Sequence, residues 1–230
     1  MLIDCMHVAI IPDGNRRWAQ SNGKPAWWGH MAGAKKMEEF AKWCSKHKEI
    51  KTVSIYALST ENLNRSPEEL DKLWGIYQRE FKAMLSKNKM KKSNGLRVNV
   101  IGNNSLWRSD VRQAARDVMR ATRQYTGGVL NILLAYGSQF EIMNGVRKLV
   151  KTGIKNVPFA EDTFNKLLTV TQPVDLVIRT GGQRRLSNFL LYQAAYAELY
   201  FTDTLWPDLS RNEFEKILKW YGTQQRKFGK

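Results

Sequence analysis

A short apolar run, a turn and the beginning of a helix follow one another in His7-Val8-Ala9-Ile10-Ile11-Pro12-Asp13-Gly14-Asn15-Arg16-Arg17-Trp18. The apolar run has strand character, and the break after it lets a helix begin at Asn15. Free backbone N–H groups and the positive end of the helix dipole then face one point, which is a cradle suited to phosphate. Arg16 and Arg17 add charge-assisted donors. Because like charges repel, we expect Asp13 to hold a Mg²⁺ ion that the phosphates also ligate.

The composition indicates a single globular domain over residues 1–230. Apolar residues make up 43% of the chain and aromatic residues 11%, which is enough for a large core. Lys and Arg number 37 against 21 acidic residues, a formal net charge of +16. This excess favours nucleic acid, a membrane surface or a polyphosphate as partner, although it also fits a plain basic surface. We expect no nucleic-acid partner, because the chain contains no recognised nucleic-acid-binding motif.

Cysteine usage and hydropathy predict a cytoplasmic protein. Cys5 and Cys44 lack the spacing of a metal site, so we expect two reduced thiols. The N-terminal residues do not resemble a signal peptide. No run approaches the roughly 18 apolar residues of a membrane span. Any membrane contact is therefore expected to be peripheral.

Strand-like and helix-like segments alternate along the chain. The expected strands are 7–12, 52–58, 96–101, 129–136, 174–179 and 199–201. The expected helices are one beginning at Asn15 and those over 66–87, 106–124, 138–151, 161–169, 188–197 and 211–225. Helix 66–87 is the clearest, because a cap and a proline precede an apolar stripe that fits either the core or the wall of an apolar channel. A basic loop is expected over 88–95. This alternation predicts an α/β fold with a mostly parallel sheet flanked by helices.

Two further polar stretches follow predicted strands. Residues 59–65 read Ser59-Thr60-Glu61-Asn62-Leu63-Asn64-Arg65, and residues 179–188 read Arg179-Thr180-Gly181-Gly182-Gln183-Arg184-Arg185-Leu186-Ser187-Asn188. Clustered arginines beside glycines favour an anion such as a diphosphate. Parallel strands end at one edge of a sheet, so these stretches and the first cradle are expected to share one crevice. Taken singly, each stretch also fits an ordinary capped helix start or a solvated connection.

These motifs resemble those of the cis-prenyltransferases, and the undecaprenyl diphosphate synthase branch is the most similar in appearance. The similar segments are 13–18, 59–62, 179–182, 185–189, 196–201 and 205–208. The resemblance covers nearly the whole chain, with the motifs in the right order. It implies a single α/β domain with an apolar tunnel, usually as a homodimer. It also implies Mg²⁺-dependent condensation of isopentenyl diphosphate with an allylic prenyl diphosphate to form a cis-polyprenyl diphosphate.

The resemblance also assigns roles by position. Asp13 is the essential carboxylate for Mg²⁺, joined by Glu198. The allylic diphosphate is assigned to Gly14, Asn15, Arg16, Arg17 and His30, with Trp18 in the same motif. Isopentenyl diphosphate is assigned to Arg179, Arg185 and Ser187, with Leu186 between them. Asn62 and Ser59 stand where the proton is abstracted, and Thr60, Glu61 and Arg65 belong to the mobile loop over the site. His30 also fits a structural histidine, and Glu198 an ordinary acidic residue.

The chain departs from the family pattern at several positions. Ala26 stands where an arginine is usual, Leu63 where an aromatic residue is common, and residues 133–139 lack the usual Asn before Tyr and the usual Gly-Arg after Gly. Lys227 replaces an arginine in the C-terminal motif. An unusual acceptor, a short-chain or non-head-to-tail condensation, or a weakly active scaffold subunit therefore remain alternatives. No Asp-Asp-x-x-Asp motif occurs, which argues against the trans-prenyltransferases.

Overall fold

Six strands form one parallel sheet in the computed structural model, which describes residues 5–86, 95–151 and 161–224. The order across the sheet is β3-β4-β2-β1-β5-β6, and each described neighbouring pair is parallel. The strands are β1 (Met6–Ile11), β2 (Ile50–Ser59), β3 (Arg97–Ile101), β4 (Val129–Tyr136), β5 (Leu176–Arg179) and β6 (Glu198–Phe201). The predicted parallel sheet is confirmed. The prediction of a single domain over 1–230 stays a prediction.

Helices cover the sheet. They are α1 (Asn15–Ser21), α2 (Ala26–Cys44), α3 (Pro67–Met84), α4 (Ser109–Thr122), α5 (Ser138–Lys151), α6 (Glu161–Asn165) and α7 (Arg211–Gly222). Successive residues of a strand point to opposite faces, so Val8 and Ile10 enter one core with side chains of α2, α3, α4 and α7. Ala9 and Ile11 enter a second core on the other face. The sheet is therefore buried on both sides, as its unalternating apolar strands require.

Helix α3 forms as its sequence predicts. The Ser66 hydroxyl accepts the backbone N–H of Glu69, and Pro67 occupies the first turn. Leu73, Tyr77 and Phe81 are buried along one stripe. The helix ends at Met84, and most of the loop expected over 88–95 lies outside the described residues.

The predicted helix over 188–197 is wrong. This segment forms turns, and Asn188 and Leu190 adopt φ values of 63° and 45° in the left-handed region. The Ser138 N–H donates to the Asn188 carbonyl, and the Val174 N–H donates to the Gln193 carbonyl. These carbonyls bind other parts of the chain, so they do not accept the i+4 bonds of a helix. Helix α6 also stops earlier than the predicted 161–169.

Helix α2 is not among the predicted helices. Gly29 and Gly33 lie on its face toward α1, where the backbones approach closely. A Cβ at Gly29 would lie 1.9 Å from the Asn15 carbonyl oxygen, and one at Gly33 would lie 2.4 Å from Asn15 Oδ1. These glycines interrupt the apolar periodicity by which α2 could have been predicted. They also permit the close packing that brings His30 beside α1. Within the described residues no helix is long and apolar enough to span a membrane.

Candidate active site

The three polar stretches meet at the carboxyl edge of the sheet, as predicted. They follow β1, β2 and β5, which are neighbours in the sheet. A pocket of about 610 Å³ opens between them. Among the predicted site residues, its lining includes Asp13, Asn15, His30, Ser59, Glu61, Asn62, Arg65, Arg179, Arg185 and Ser187.

A second pocket of about 360 Å³ lies at the beginning of α1. Asp13, Asn15, His30 and Arg65 line both pockets, whereas Gly14, Arg16 and Arg17 line only the second one among the described residues. Gly14 precedes the helix with φ of 110°, and no side-chain hydrogen bond caps this end. A Cβ at Gly14 would lie 2.8 Å from Leu205 Cδ2. The first N–H groups of α1 therefore lie at this second pocket, where the sequence predicts that an anion binds.

Asp13 is fixed through its backbone and paired through its carboxylate. Its carbonyl accepts the Thr180 hydroxyl at 2.8 Å and the Trp206 N–H at 3.0 Å. Oδ2 lies 2.8 Å from Arg179 Nη2, and Oδ1 lies 3.2 Å from Arg17 Nη2. The carboxylate thus lies between an arginine of each predicted anion site.

Arg179 is a buried cation directed into the site. Only 4% of the residue is exposed, and Nη1 donates to Ser187 Oγ at 2.7 Å and to the Arg185 carbonyl. Its Nε atom has no partner among the described residues. Ser187, which accepts the bond from Arg179 Nη1, has a backbone φ of 50°. Such strained conformations are concentrated at functional sites. The Arg185 side chain is exposed and donates to Gln183.

Ser59 and Asn62 hold each other in place. The Ser59 N–H donates to Asn62 Oδ1 at 3.3 Å, and the Asn62 N–H donates to Ser59 Oγ at 3.1 Å. The amide oxygen of Asn62 already accepts a hydrogen bond from Ser59. The Nδ2 group is therefore the part of the side chain that can contact a substrate, and it is a hydrogen-bond donor. This geometry favours orientation of a substrate by Asn62 over removal of a proton.

Glu61 joins the loop after β2 to the segment after β5, since its Oε1 accepts the Asn188 amide at 3.1 Å. Burial raises the pKa of the Glu61 carboxyl, but hydrogen bonds from its own backbone and from Asn188, Ser59 and Thr60 outweigh burial and hold the pKa below its usual value. The two loops are therefore linked through an ionised carboxylate.

His30 lies between the two pockets, with Nε2 3.0 Å from Glu69 Oε1 and 3.4 Å from Arg65 Nη1. Burial lowers the pKa of His30, and the hydrogen bond with Glu69 opposes this shift only in part. His30 is therefore neutral near pH 7. Its Nε2–H donates to the carboxylate, which assigns the tautomer.

Four predicted residues do not line these pockets in the described part of the chain. The Trp18 indole donates to Asp208 at 2.7 Å, and Leu186 packs on the second core. The Thr60 N–H donates to the Tyr136 carbonyl. Glu198 pairs with Leu176 at the amino end of β5, whereas Asp13 follows the carboxyl end of β1. A single chain therefore does not bring Glu198 to Asp13.

Sequence reasoning missed three residues that support the site. They are Glu69 behind His30, Thr180 behind Asp13, and Tyr56, whose hydroxyl donates to the Ser187 carbonyl at 3.2 Å while its ring stacks on Phe189. The available signal in the sequence was the position of polar residues within or just after a strand, or in the first turn of a helix. That signal does not say which partner each one meets.

An apolar cavity of about 130 Å³ continues from the main pocket, and Ala34, Met37 and Tyr77 line both spaces. Farther in, its wall consists mainly of apolar side chains from α2, α3, α4 and the sheet, including Phe81 and Ile132. The apolar stripe of α3 thus packs in the core, and Tyr77 and Phe81 also line this cavity. The core position predicted for this helix is confirmed, and its place in the wall of a channel stays a prediction.

The residues present fit a Mg²⁺ ion that arrives with a diphosphate. Protein-bound Mg²⁺ typically takes one or two carboxylates, with substrate phosphates and water completing its shell. Asp13 supplies one carboxylate beside the cradle. The described residues contain no group of three His, Cys, Asp or Glu side chains able to hold a metal alone. Asp13 is therefore the residue that would hold the ion.

Two arginine-bearing clusters beside an apolar cavity fit an enzyme that handles diphosphates with apolar tails, as the prenyltransferase class does. A family model described as "Putative undecaprenyl diphosphate synthase" matches residues 11–229. The chain belongs to this family, the cis-prenyltransferases.

Known relatives are similar over nearly the whole chain. The tritrans,polycis-undecaprenyl-diphosphate synthase (geranylgeranyl-diphosphate specific) of Thermococcus kodakarensis is 43% identical over 97% of this chain and 86% of its own length. The ditrans,polycis-undecaprenyl-diphosphate synthase ((2E,6E)-farnesyl-diphosphate specific) of Escherichia coli K12 is 39% identical over 98% and 90%. The crystal structure of lavandulyl diphosphate synthase from Lavandula x intermedia, in complex with dimethylallyl diphosphate, has a TM-score of 0.88 and 31% identity, covering 97% of this chain and 98% of that chain.

Proposed function

We propose that this protein is a Mg²⁺-dependent cis-prenyltransferase that condenses isopentenyl diphosphate with an allylic prenyl diphosphate and releases a cis-polyprenyl diphosphate. The observation that carries the proposal is the continuity of the main pocket with the apolar cavity through Ala34, Met37 and Tyr77. Two diphosphates can bind at the sheet edge while an apolar chain extends behind them.

The allylic diphosphate is assigned to the cradle before α1, where Arg16 and Arg17 border the helix start. Isopentenyl diphosphate is assigned to the segment after β5, where Arg179, Arg185 and Ser187 line the main pocket. Asp13 lies between the two groups through its pairs with Arg17 and Arg179. In this proposal the reacting carbons lie near the entrance of the apolar cavity.

In the proposed reaction, the double bond of isopentenyl diphosphate attacks the allylic carbon, whose C–O bond to diphosphate breaks. A proton leaves the isopentenyl unit, and the departing diphosphate is its acceptor. Negative charge grows on the leaving diphosphate, so Arg16 and Arg17 stabilise the transition state more than the ground state. Mg²⁺, when bound, adds further charge stabilisation there. Asn62 orients the substrate through its amide donor.

The similarity of this chain to undecaprenyl-diphosphate synthases favours chain elongation over a single short-chain condensation. The relatives named above use different starters, geranylgeranyl diphosphate or farnesyl diphosphate. We propose a starter of this length class for the present chain. Mass spectrometry of the products from dimethylallyl, geranyl, farnesyl and geranylgeranyl diphosphate would identify the starter. A single five-carbon addition, or a branched product, would favour the non-standard condensation.

We also propose a homodimer in the cytoplasm, with peripheral membrane contact through which the lipid product leaves. Exposed apolar side chains support the dimer. Met143, Val146 and Val150 form a stripe on α5. Leu191 and Tyr196 precede the edge strand β6, and Leu199 lies within it. Sedimentation velocity should show a dimer that Met143→Glu weakens. Leu106→Glu, which changes an exposed leucine elsewhere, is the control. A monomeric wild-type protein would contradict this part of the proposal.

Turnover of radiolabelled isopentenyl diphosphate by the chain alone tests the proposed activity. Wild-type protein should form polyprenyl diphosphate with Mg²⁺, and Asp13→Asn should lose at least about 10³-fold in kcat, since it removes the proposed metal ligand. Asp71→Asn, which alters an exposed ion pair with Arg108, should match wild type. An inactive wild-type chain that activates another prenyltransferase would instead identify a scaffold subunit. Near-normal turnover by Asp13→Asn would reject the role of Asp13.

A further inference from the structure

Glu69 lies directly behind donors that line the proposed allylic cradle. Its Oε1 atom is 3.0 Å from His30 Nε2, 3.0 Å from Arg65 Nη1 and 3.9 Å from Arg16 Nε. One carboxylate oxygen thus faces three basic side chains. His30 and Arg65 line both pockets, whereas Glu69 lines neither of them among the described residues, and its side chain is 13% exposed. Glu69 therefore contacts the donors rather than the space for the ligand.

A role in the helix does not account for this arrangement. Glu69 is in the first turn of α3, where an acidic residue interacts favourably with the helix dipole. Glu68 occupies the same turn, is exposed and supplies the same charge to the helix. The Glu69 side chain instead crosses to His30 on α2, 39 residues away in sequence. The contact joins two helices at the cradle.

We infer, on the basis of the proposed function, that Glu69 is a positioning residue for the allylic diphosphate. It orients His30 and Arg65 through charge-assisted hydrogen bonds and offsets part of the positive charge of the cradle. Loss of its charge has two opposite effects. A free anion binds more tightly, because the nearby negative charge no longer repels it. Turnover slows, because the two donors lose the acceptor that orients them.

Glu69→Gln and its neighbour Glu68→Gln are the matched pair for the test. For Glu69→Gln we expect kcat to fall by about tenfold or more and the Kd for inorganic pyrophosphate, measured by calorimetry with Mg²⁺, to fall by about threefold. The KM for isopentenyl diphosphate should stay unchanged. Glu68→Gln should match wild type in all three quantities. Glu69→Asp keeps the charge on a shorter side chain. It should therefore lower kcat without lowering the Kd for pyrophosphate.

A measurement on the wild-type protein guards against variants that fail to fold. In the ¹⁵N spectrum of the imidazole rings, His30 should carry its proton on Nε2, as the contact with Glu69 requires. An Nδ1–H tautomer would overturn the inference. So would a Glu69→Gln variant that matches Glu68→Gln, or one that binds pyrophosphate more weakly than wild type.

The proposed function can fail separately. If the wild-type chain binds pyrophosphate but forms no polyprenyl product, the proposed reaction is wrong. The pyrophosphate affinities and the His30 tautomer still decide whether Glu69 positions the donors.

Discussion

Arg179 and Asp13 form an ion pair across two neighbouring strands, with Nη2 2.8 Å from Oδ2. Ile11, two residues before Asp13, pairs with Arg179 in the parallel register of β1 and β5. The register therefore sets the two side chains side by side at the end of the sheet. Because Asp13 also meets Arg17, a single carboxylate links the two proposed diphosphate sites. A disturbance of one site should reach the other through this link.

Arg179→Lys should separate the shape of the guanidinium from its charge. Arg179 reaches Asp13, Ser187 Oγ and the Arg185 carbonyl at once, and a single ammonium group does not reproduce this fork. We expect the KM for isopentenyl diphosphate to rise and kcat to fall, so that kcat/KM drops by about 10- to 100-fold. Steady-state kinetics measures both constants. Arg184→Lys, an exposed residue of the same segment, is the control, and equal effects of the two changes would contradict the assignment.

Gly181→Ala should damage the site more than the fold. Gly181 has φ of 79°, and a Cβ there would lie 2.6 Å from Arg17 Nη2 and 3.0 Å from the Asp13 carbonyl oxygen. We expect turnover to fall at least about tenfold, because both residues must move. Gly23→Ala is the control, since Gly23 also has positive φ (61°) but nothing within 4 Å of its Cβ position. Both variants should lose about 1 kcal/mol of stability in urea unfolding. Full activity of Gly181→Ala would show that this contact is unimportant.

Ala34→Leu should shorten the product. Ala34 lines both the main pocket and the apolar cavity, so a larger side chain narrows the passage between them. We expect chromatography of the products to shift toward shorter prenyl chains, with a smaller effect on the first condensation. Ala32→Leu places the same side chain on α2 away from both spaces and should leave the products unchanged. An unaltered product distribution in Ala34→Leu would argue against growth of the chain through this passage.

The buried His7 should make stability depend on pH. Burial lowers its pKa from 6.5 to about 4, despite bonds to the Gln172 and Pro173 carbonyls and the charge of Asp175. The unfolded chain takes up the proton near pH 6.5, so acidification below that value favours unfolding. The contribution of neutral His7 to the free energy of unfolding is complete above pH 6.5 and is lost as the pH falls toward 4. This contribution totals roughly 3 kcal/mol.

Urea unfolding at pH 7.5, 6 and 5 measures this dependence. His7→Asn should lower stability at pH 7.5, because the hydrogen bond that the Ser54 hydroxyl donates to His7 Nε2 at 2.7 Å is lost, but it should flatten the pH slope. Gln20→Ala, which changes an exposed residue that does not titrate, is the control and should keep the wild-type slope. An identical slope in His7→Asn would exclude His7 as the source.

Local patterns predicted much of the fold. Six apolar runs became the six strands, since β-branched runs bounded by turn residues have few other ways to bury themselves. Ser66 and Pro67 set the beginning of α3 through bonds within one turn. The prediction of a helix over 188–197 is wrong because two carbonyls of this segment accept the N–H groups of Ser138 and Val174, which are distant in sequence. Propensity describes neighbours along the chain and contains no information about such partners.

The sequence by itself determined that Asp13, Asn62 and Arg179 lie at or just after the carboxyl ends of strands in a parallel sheet, and parallel strands end at one edge. Only the tertiary structure decided that Arg179 pairs with Asp13, that Glu69 stands behind His30, and that Glu198 lies at the other end of its strand. The reason is that strand order and register, together with the close packing of α2 on α1, set these distances. Those quantities depend on the whole chain folding together, so no single segment encodes them.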